Sequence, residues 1–150
     1  MVTTDTKKIY LDNGTTRLPL SNASYAHYNT NNDNTVMSGK YYKINIISET
    51  SWMLAFTIRL YNSYKFYDID ISGYNYGTNH WYNPTAKLAN STENSIEVTF
   101  GYDADWKLWI CIPAAAYTGL DIFNVTNGFT QIDLFNAFSI SLVDAIPETI

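Results

Sequence analysis

The chain has 150 residues, of which 46% are hydrophobic, 16% aromatic and only 15% charged. This length fits one domain, and the charged fraction lies below the roughly 25% of an average soluble domain. The formal net charge of -5 at pH 7 argues against a nucleic-acid partner, which requires a clustered basic surface. No apolar run approaches the roughly 20 residues of a membrane-spanning helix, so no membrane insertion is expected.

The first 37 residues lack a regular hydrophobic pattern. A turn signal occurs at Asp12-Asn13-Gly14, Pro19 interrupts any strand, and residues 21–34 are rich in asparagine and nearly uncharged. We therefore interpret residues 1–37 as an irregular N-terminal arm or shaft connector and residues 38–150 as the folded domain.

From Lys40 onward, apolar side chains recur at every second position, which is typical of strands with one buried face. The first two strands are expected to pair as a hairpin, and Asp68 and Asp70 are expected on the solvated outer face of the third. A weaker strand over residues 82–88 contains Pro84, which places it at a sheet edge. The inward residues are predicted to be Tyr42, Ile44 and Ile46 in the first strand, Trp52, Leu54, Phe56, Ile58 and Leu60 in the second, and Tyr67, Ile69 and Ile71 in the third.

The second half of the chain continues the same alternation. Residues 96–102 and 106–112 are predicted to form a hairpin around a turn at 103–105, and further strands are expected over 120–125 and 137–143. About eight short strands without a helical repeat predict an all-β fold, an antiparallel β-sandwich for which a jelly roll is one arrangement.

The sequence contains no motif for catalysis. Asp68 with Asp70, and Asp103 with Asp105, are the candidate acid and base pairs, but a solvated strand face and a tight turn explain them equally well. No G-x-S-x-G elbow or glycine-rich phosphate loop is present. We therefore predict that the protein is not an enzyme and carries no cofactor.

Metal binding has equally little support. His27 and His80 stand alone, and a single cysteine excludes both an internal disulfide and a cysteine-built zinc site. Cys111 lies between two isoleucines, so we expect a buried, unreactive thiol. No metal site is predicted, although calcium held by oxygen ligands from distant loops stays open.

Residues 73–82 combine aromatic rings with glycine and asparagine, which indicates an aromatic loop. Sugars bind to such surfaces because flat rings stack on their C–H faces and amides bond to their hydroxyls. The alternative is that Trp81 and Tyr82 close one end of the sandwich or pack against a neighbouring subunit. The candidate ligand-binding residues are Tyr74, Asn75, Tyr76, Asn79, His80, Trp81 and Tyr82.

Two stretches carry a resemblance to a known class of domain. They are Phe100-Gly101-Tyr102-Asp103-Ala104-Asp105 followed by Trp106-Lys107-Leu108-Trp109-Ile110-Cys111-Ile112, and the closing stretch from Val125-Thr126-Asn127-Gly128-Phe129 through Phe138-Ser139-Ile140-Ser141 to Ile146-Pro147-Glu148. Residues 38–150 thereby resemble the distal head domain of bacteriophage or prophage tail fibres. The resemblance implies a homotrimeric receptor-binding head at the fibre tip of the virion, which attaches to a bacterial surface glycan or protein. It transfers no binding residue by position.

Two other functions remain open. A carbohydrate-binding module or lectin domain of a secreted bacterial protein would use the same aromatic segment, but would be extracellular and monomeric. A structural virion domain would use the rings for subunit packing and bind no ligand. A depolymerase would need two carboxylates in a cleft, and the sequence offers no convincing pair.

Overall fold

A computed structural model describes residues 2–5, 8–12, 17–19, 26–29, 39–48, 51–62, 64–76, 80–103, 108–115, 117–128 and 137–148. Every regular element in these ranges is a β-strand, and no helix in them is long and apolar enough to cross a membrane. The strands are β1 (Val2–Asp5), β2 (Lys8–Asp12), β3 (Arg17–Pro19), β4 (Ala26–Asn29), β5 (Tyr41–Ile46), β6 (Met53–Asn62), β7 (Lys65–Tyr76), β8 (His80–Ser91), β9 (Thr99–Tyr102), β10 (Leu108–Pro113), β11 (Thr118–Asn127) and β12 (Phe138–Val143).

Nine of these strands form two antiparallel sheets that pack on each other. The four-stranded sheet has the order β12-β5-β10-β9, and the five-stranded sheet has the order β4-β11-β6-β7-β8. One hydrophobic core lies between them, so the predicted all-β sandwich is confirmed. The residues at its centre are Tyr42, Ile44, Ile46, Leu108, Ile110 and Ile112 from the first sheet, and Leu54, Phe56, Ile58, Leu60, Ile69, Ile71, Leu120 and Ile122 from the second.

The strand connections combine two arrangements. Strand β5 pairs with β12 and β6 with β11, a nested pairing of the kind found in a jelly roll, whereas β6, β7 and β8 follow one another as a meander. The predicted hairpin between β5 and β6 is wrong, because the chain crosses from one sheet to the other between them. The predicted hairpin of β9 and β10 is confirmed, although β9 begins at Thr99 and Trp106 lies outside the described residues.

The amino-terminal region contains more strand than the sequence suggested. Strands β1, β2 and β3 pair as a separate antiparallel sheet. Strand β4 pairs with β11 at the edge of the five-stranded sheet, and its Ala26 and Tyr28 pack against the core. The sandwich therefore extends to residues before the predicted boundary at 38. Four residues are too short a stretch for alternation to reveal a strand.

In β5, β6 and β7 the residues predicted to face inward are buried or half-buried, whereas most of β8 is exposed. Trp52 is half-buried against the core just before β6, and β8 lies at the sheet edge as its Pro84 indicated. Asp70 is exposed and accepts a hydrogen bond from Thr57 Oγ1 at 2.9 Å.

Asp68 differs from its neighbour, because it is only 8% exposed. It lies opposite Arg59, whose Nε and Nη2 donate to its two carboxylate oxygens at 2.8 and 2.9 Å. The guanidinium also lies over the rings of Phe66 and Phe123. These hydrogen bonds raise the pKa of Arg59 although partial burial opposes them. The expectation of a solvated Asp68 was therefore wrong: it is a paired, structural carboxylate.

Cys111 is buried on β10, as predicted, and desolvation raises the pKa of its thiol from 9.0 to about 11. Between these values the unfolded chain releases a proton that the native state retains, so stability falls as the pH rises from 9 to 11. We expect the Cys111→Ala variant to lose less stability than the unaltered protein as the pH rises from 9 to 11. The free energy of unfolding of both proteins is measured with urea at pH 7, 9, 10 and 11. The titration of tyrosines affects both proteins equally, so it cancels in the comparison. An equal loss of stability in the two proteins would contradict the prediction.

Candidate functional site

Six of the seven predicted ligand-binding residues lie at one end of the antiparallel strand pair β7 and β8. Tyr74 pairs with Tyr82, Asn75 with Trp81, and Tyr76 with His80. The interpretation as a loop was therefore wrong for residues 73–76 and 80–82, which are strand. Residues 77–79, which include Asn79, lie outside the described residues. A glycine such as Gly73 is typical of a loop, but this one lies within a strand. A Cβ atom there would lie 2.5 Å from the Trp81 ring, so this glycine allows the ring to pack closely on the backbone of β7.

Strand alternation sends these side chains to two different faces. Asn75 is fully buried and Trp81 is 9% exposed, whereas Tyr76 and Tyr82 are 54% and 53% exposed. Tyr74 is half-buried on the same outer face. The predicted set therefore divides into a core pair and a surface group.

Trp81 belongs to the core between the sheets. Its ring meets Phe100 edge-on, with 5.3 Å between the ring centroids, and its Nε1 donates to the backbone oxygen of Trp109 at 3.3 Å. Strand β8 is thereby tied to β9 and β10 of the opposite sheet. Trp81 therefore leaves the candidate site, whereas Tyr82, which the same alternative assigned to packing, is 53% exposed.

Asn75 of β7 forms hydrogen bonds with the segment that precedes β6. Its Nδ2 donates to Ser48 Oγ at 2.9 Å, its backbone nitrogen donates to the oxygen of Trp52, and its own backbone oxygen accepts from the nitrogen of Ser51. Its buried Oδ1 has no hydrogen-bond partner among the described residues. Asn75 is thus a positioning residue and is not available to a ligand at the surface.

The three outward tyrosines form a tyrosine cluster, which we define as Tyr74, Tyr76 and Tyr82. The ring centroids of Tyr74 and Tyr76 are 5.3 Å apart, and those of Tyr76 and Tyr82 are 5.9 Å apart. His80 is half-buried, and its ring lies 5.6 Å from that of Tyr102 in β9. The cluster therefore presents adjoining aromatic rings on paired strands.

This cluster borders a groove of about 510 Å³ on the outer face of the five-stranded sheet. Tyr74 and Tyr82 form part of its wall, and the rest comes from β6, β7, Asn83 of β8, the end of β11 and Gly128. The residues that line this groove are Met53, Leu54, Ala55, Ser72, Gly73, Tyr74, Tyr82, Asn83, Thr126 and Gly128.

Two β-bulges flank the groove. In β8, Asn83 and Pro84 together oppose Gly73, and in β11 two residues starting at Asn124 oppose Phe56. Asn83 and Asn124 have φ values of 49° and 53°, a left-handed conformation that asparagine tolerates better than most residues. Bulges occur beside binding sites because they redirect side chains. The strands on both sides of the β6–β7 pair thus depart from regular geometry where the groove lies.

Sequence reasoning missed Met53, Ser72, Asn83 and Thr126. They come from four different strands, and only the register of the sheet brings them together. The Asn83-Pro84 pair inside a predicted strand was the one available signal, since proline within a strand marks an edge or a bulge.

The chemistry of the groove is that of stacking and neutral hydrogen bonding. Among the described residues that line it there is no Asp, Glu, Lys, Arg or His. Ser72, Asn83 and Thr126 offer groups that both donate and accept hydrogen bonds. Elsewhere in the described ranges, no three His, Cys, Asp or Glu side chains are grouped to hold a metal ion.

Comparisons with protein-family models, curated proteins and solved structures found no match for this chain. The resemblance to tail-fibre heads therefore stays a prediction.

Proposed function

We propose that this chain is a non-catalytic domain that attaches to a bacterial surface glycan through the tyrosine cluster and the groove beside it. The observation that carries the proposal is the placement of three tyrosines on one outer face, two of them more than half exposed, along a groove flanked by bulges. The exposed rings of Tyr76 and Tyr82 do not pack in the core, which lies on the opposite face of the sheet.

Physical chemistry supports a saccharide as the ligand. A tyrosine ring provides a large contact area with few rotatable bonds, so little conformational entropy is lost on binding. The ring faces pack against sugar C–H surfaces, while the hydroxyls and the amide in the groove bond to sugar hydroxyls. Placement on paired strands holds these groups more precisely than a loop would.

The resemblance to tail-fibre heads supplies the proposed biological setting, a homotrimer at the tip of a virion fibre. Three copies of a weak site gain affinity because the second and third contacts become intramolecular. A carbohydrate-binding module of a secreted protein would use the same groove as a monomer. Light scattering separates the two settings, since the module has the mass of one 17.1 kDa chain and the fibre head that of three.

Tyr82→Ala is expected to weaken glycan binding by at least tenfold, a factor that corresponds to ~1.4 kcal/mol of lost contact. The measurement is affinity for a panel of bacterial surface polysaccharides, with the thermal transition recorded in parallel. Because Tyr82 is half exposed, that transition should change little.

Tyr64→Ala is the matched control. Tyr64 is 83% exposed beside the turn between β6 and β7, at the opposite end of these strands from the groove. Its replacement should leave affinity unchanged. Equal affinities for Tyr82→Ala, Tyr64→Ala and the unaltered protein would refute the proposed site.

A further inference from the structure

We propose that the groove selects uncharged saccharides and that Asn83 is the residue that orients them. This inference rests on the proposed function and deepens it, because it names the ligand class and a specificity-determining residue. Neither follows from the tyrosine cluster alone, since aromatic rings stack on charged and uncharged sugars alike.

The first observation concerns charge. The described residues that line the groove include no cationic side chain, whereas a carboxylated or sulfated sugar is bound best by Arg or Lys. Along β7 and β8 in the direction away from the groove, the first charged side chains after Ser72 and Thr85 are Asp70 and Lys87. These two residues lie opposite each other and carry charges of opposite sign. The chain as a whole carries a net charge of -5, which further disfavours an anionic polymer.

The second observation concerns the type of hydrogen-bonding group. Sugar hydroxyls both donate and accept, and so do the hydroxyls of Ser72 and Thr126 and the amide of Asn83. Ser72 Oγ already bonds to Thr85 Oγ1 at 2.6 Å, and Thr126 Oγ1 lies 3.5 Å from the backbone oxygen of Ala55. Their hydroxyls are thus partly engaged within the sheet. The exposed amide of Asn83 has two donor hydrogens and an acceptor oxygen to offer.

The third observation concerns how Asn83 is presented. Asn83 belongs to the bulge in β8, where its φ is 49°. A regular strand would alternate its side chain to the face opposite Tyr82, but the bulge allows both residues to line the groove. A stacked sugar on Tyr82 therefore meets the Asn83 amide at its edge.

The ligand class is tested with defined polysaccharides. The probes are dextran, mannan and galactan as uncharged polymers, and alginate and polygalacturonate as anionic ones. We expect binding to at least one uncharged polymer, with an affinity that changes less than about twofold between roughly 0.05 and 0.5 M NaCl because no ion pair is screened. Binding confined to anionic polymers would overturn the inference and leave the proposed function standing. Failure to bind any polysaccharide would overturn both.

The role of Asn83 is tested with Asn83→Gly. Glycine adopts positive φ freely, so the bulge is retained while the amide is removed. Affinity for the uncharged polymer should fall about threefold to tenfold, as expected for one lost hydrogen bond. Asn124→Gly is the control, because Asn124 has the same left-handed conformation in the other bulge and does not line the groove. An Asn83→Gly variant that binds as tightly as Asn124→Gly would overturn the role assigned to Asn83.

Discussion

Trp81→Ala is expected to lower the free energy of unfolding by about 3–5 kcal/mol, the range for removing a large aromatic side chain from a core. The Trp81 ring fills the space over Gly73 and against Phe100, so its removal leaves a cavity there. Its Nε1 also donates to the backbone oxygen of Trp109, so the variant also loses this hydrogen bond between β8 and the opposite sheet. Urea or thermal unfolding followed by circular dichroism measures the effect.

Tyr82→Ala provides the comparison for this prediction. Tyr82 is the next residue along β8, but it lies on the outer face and is half exposed. The two variants should therefore separate stability from binding: Trp81→Ala lowers the unfolding midpoint, and Tyr82→Ala lowers affinity. A Trp81→Ala protein with an unchanged midpoint would show that Trp81 is not part of the core.

Gly101→Ala is expected to destabilise the protein by about 1–3 kcal/mol, the usual cost of forcing extra volume into a packed site. Gly101 of β9 lies directly opposite Trp109 of β10, and the indole ring lies over the glycine. A Cβ atom at this position would overlap three atoms of the ring. Trp109 is itself buried, so it cannot move aside without disturbing its neighbours.

Gly119→Ala is the control for added volume. Gly119 lies within β11, and a Cβ atom there would meet no heavy atom within 4 Å. This substitution should be neutral or slightly stabilising, because alanine restricts the unfolded chain more than glycine does. If both glycine variants unfold at the same denaturant concentration, the close packing of Trp109 on Gly101 is refuted.

The inward residues of the long strands were predictable because period-two alternation reports burial directly. The rows Tyr42 to Ile46 and Leu54 to Leu60 show this most clearly. Alternation does not show which strand pairs with which, however, because a strand with one apolar face can pair with any other strand that faces the same core. The erroneous hairpin of β5 and β6 has this origin. Strand β4 escaped notice because Ala26 and Tyr28 are its only inward positions.

The sequence located one segment of the candidate site but did not show which residues form it. An abundance of aromatic residues pointed to residues 73–82, yet composition does not say which rings face inward. Trp81 and Tyr82 are adjacent in the chain and lie on opposite faces of one strand. Met53 and Thr126 join the site through the register of β6 with β7 and β11, which depends on contacts far apart in the sequence.

The bulge that presents Asn83 also affects how copies of this domain tolerate crowding. Strand β8 is twelve residues long and lies at the edge of its sheet, where exposed backbone groups can recruit a strand from another molecule and start aggregation. Pro84 removes one donor from that edge, the bulge interrupts its regular spacing, and Lys87 adds a charge. Copies of this domain at high local concentration would therefore resist edge-to-edge polymerisation while their outer faces remain accessible.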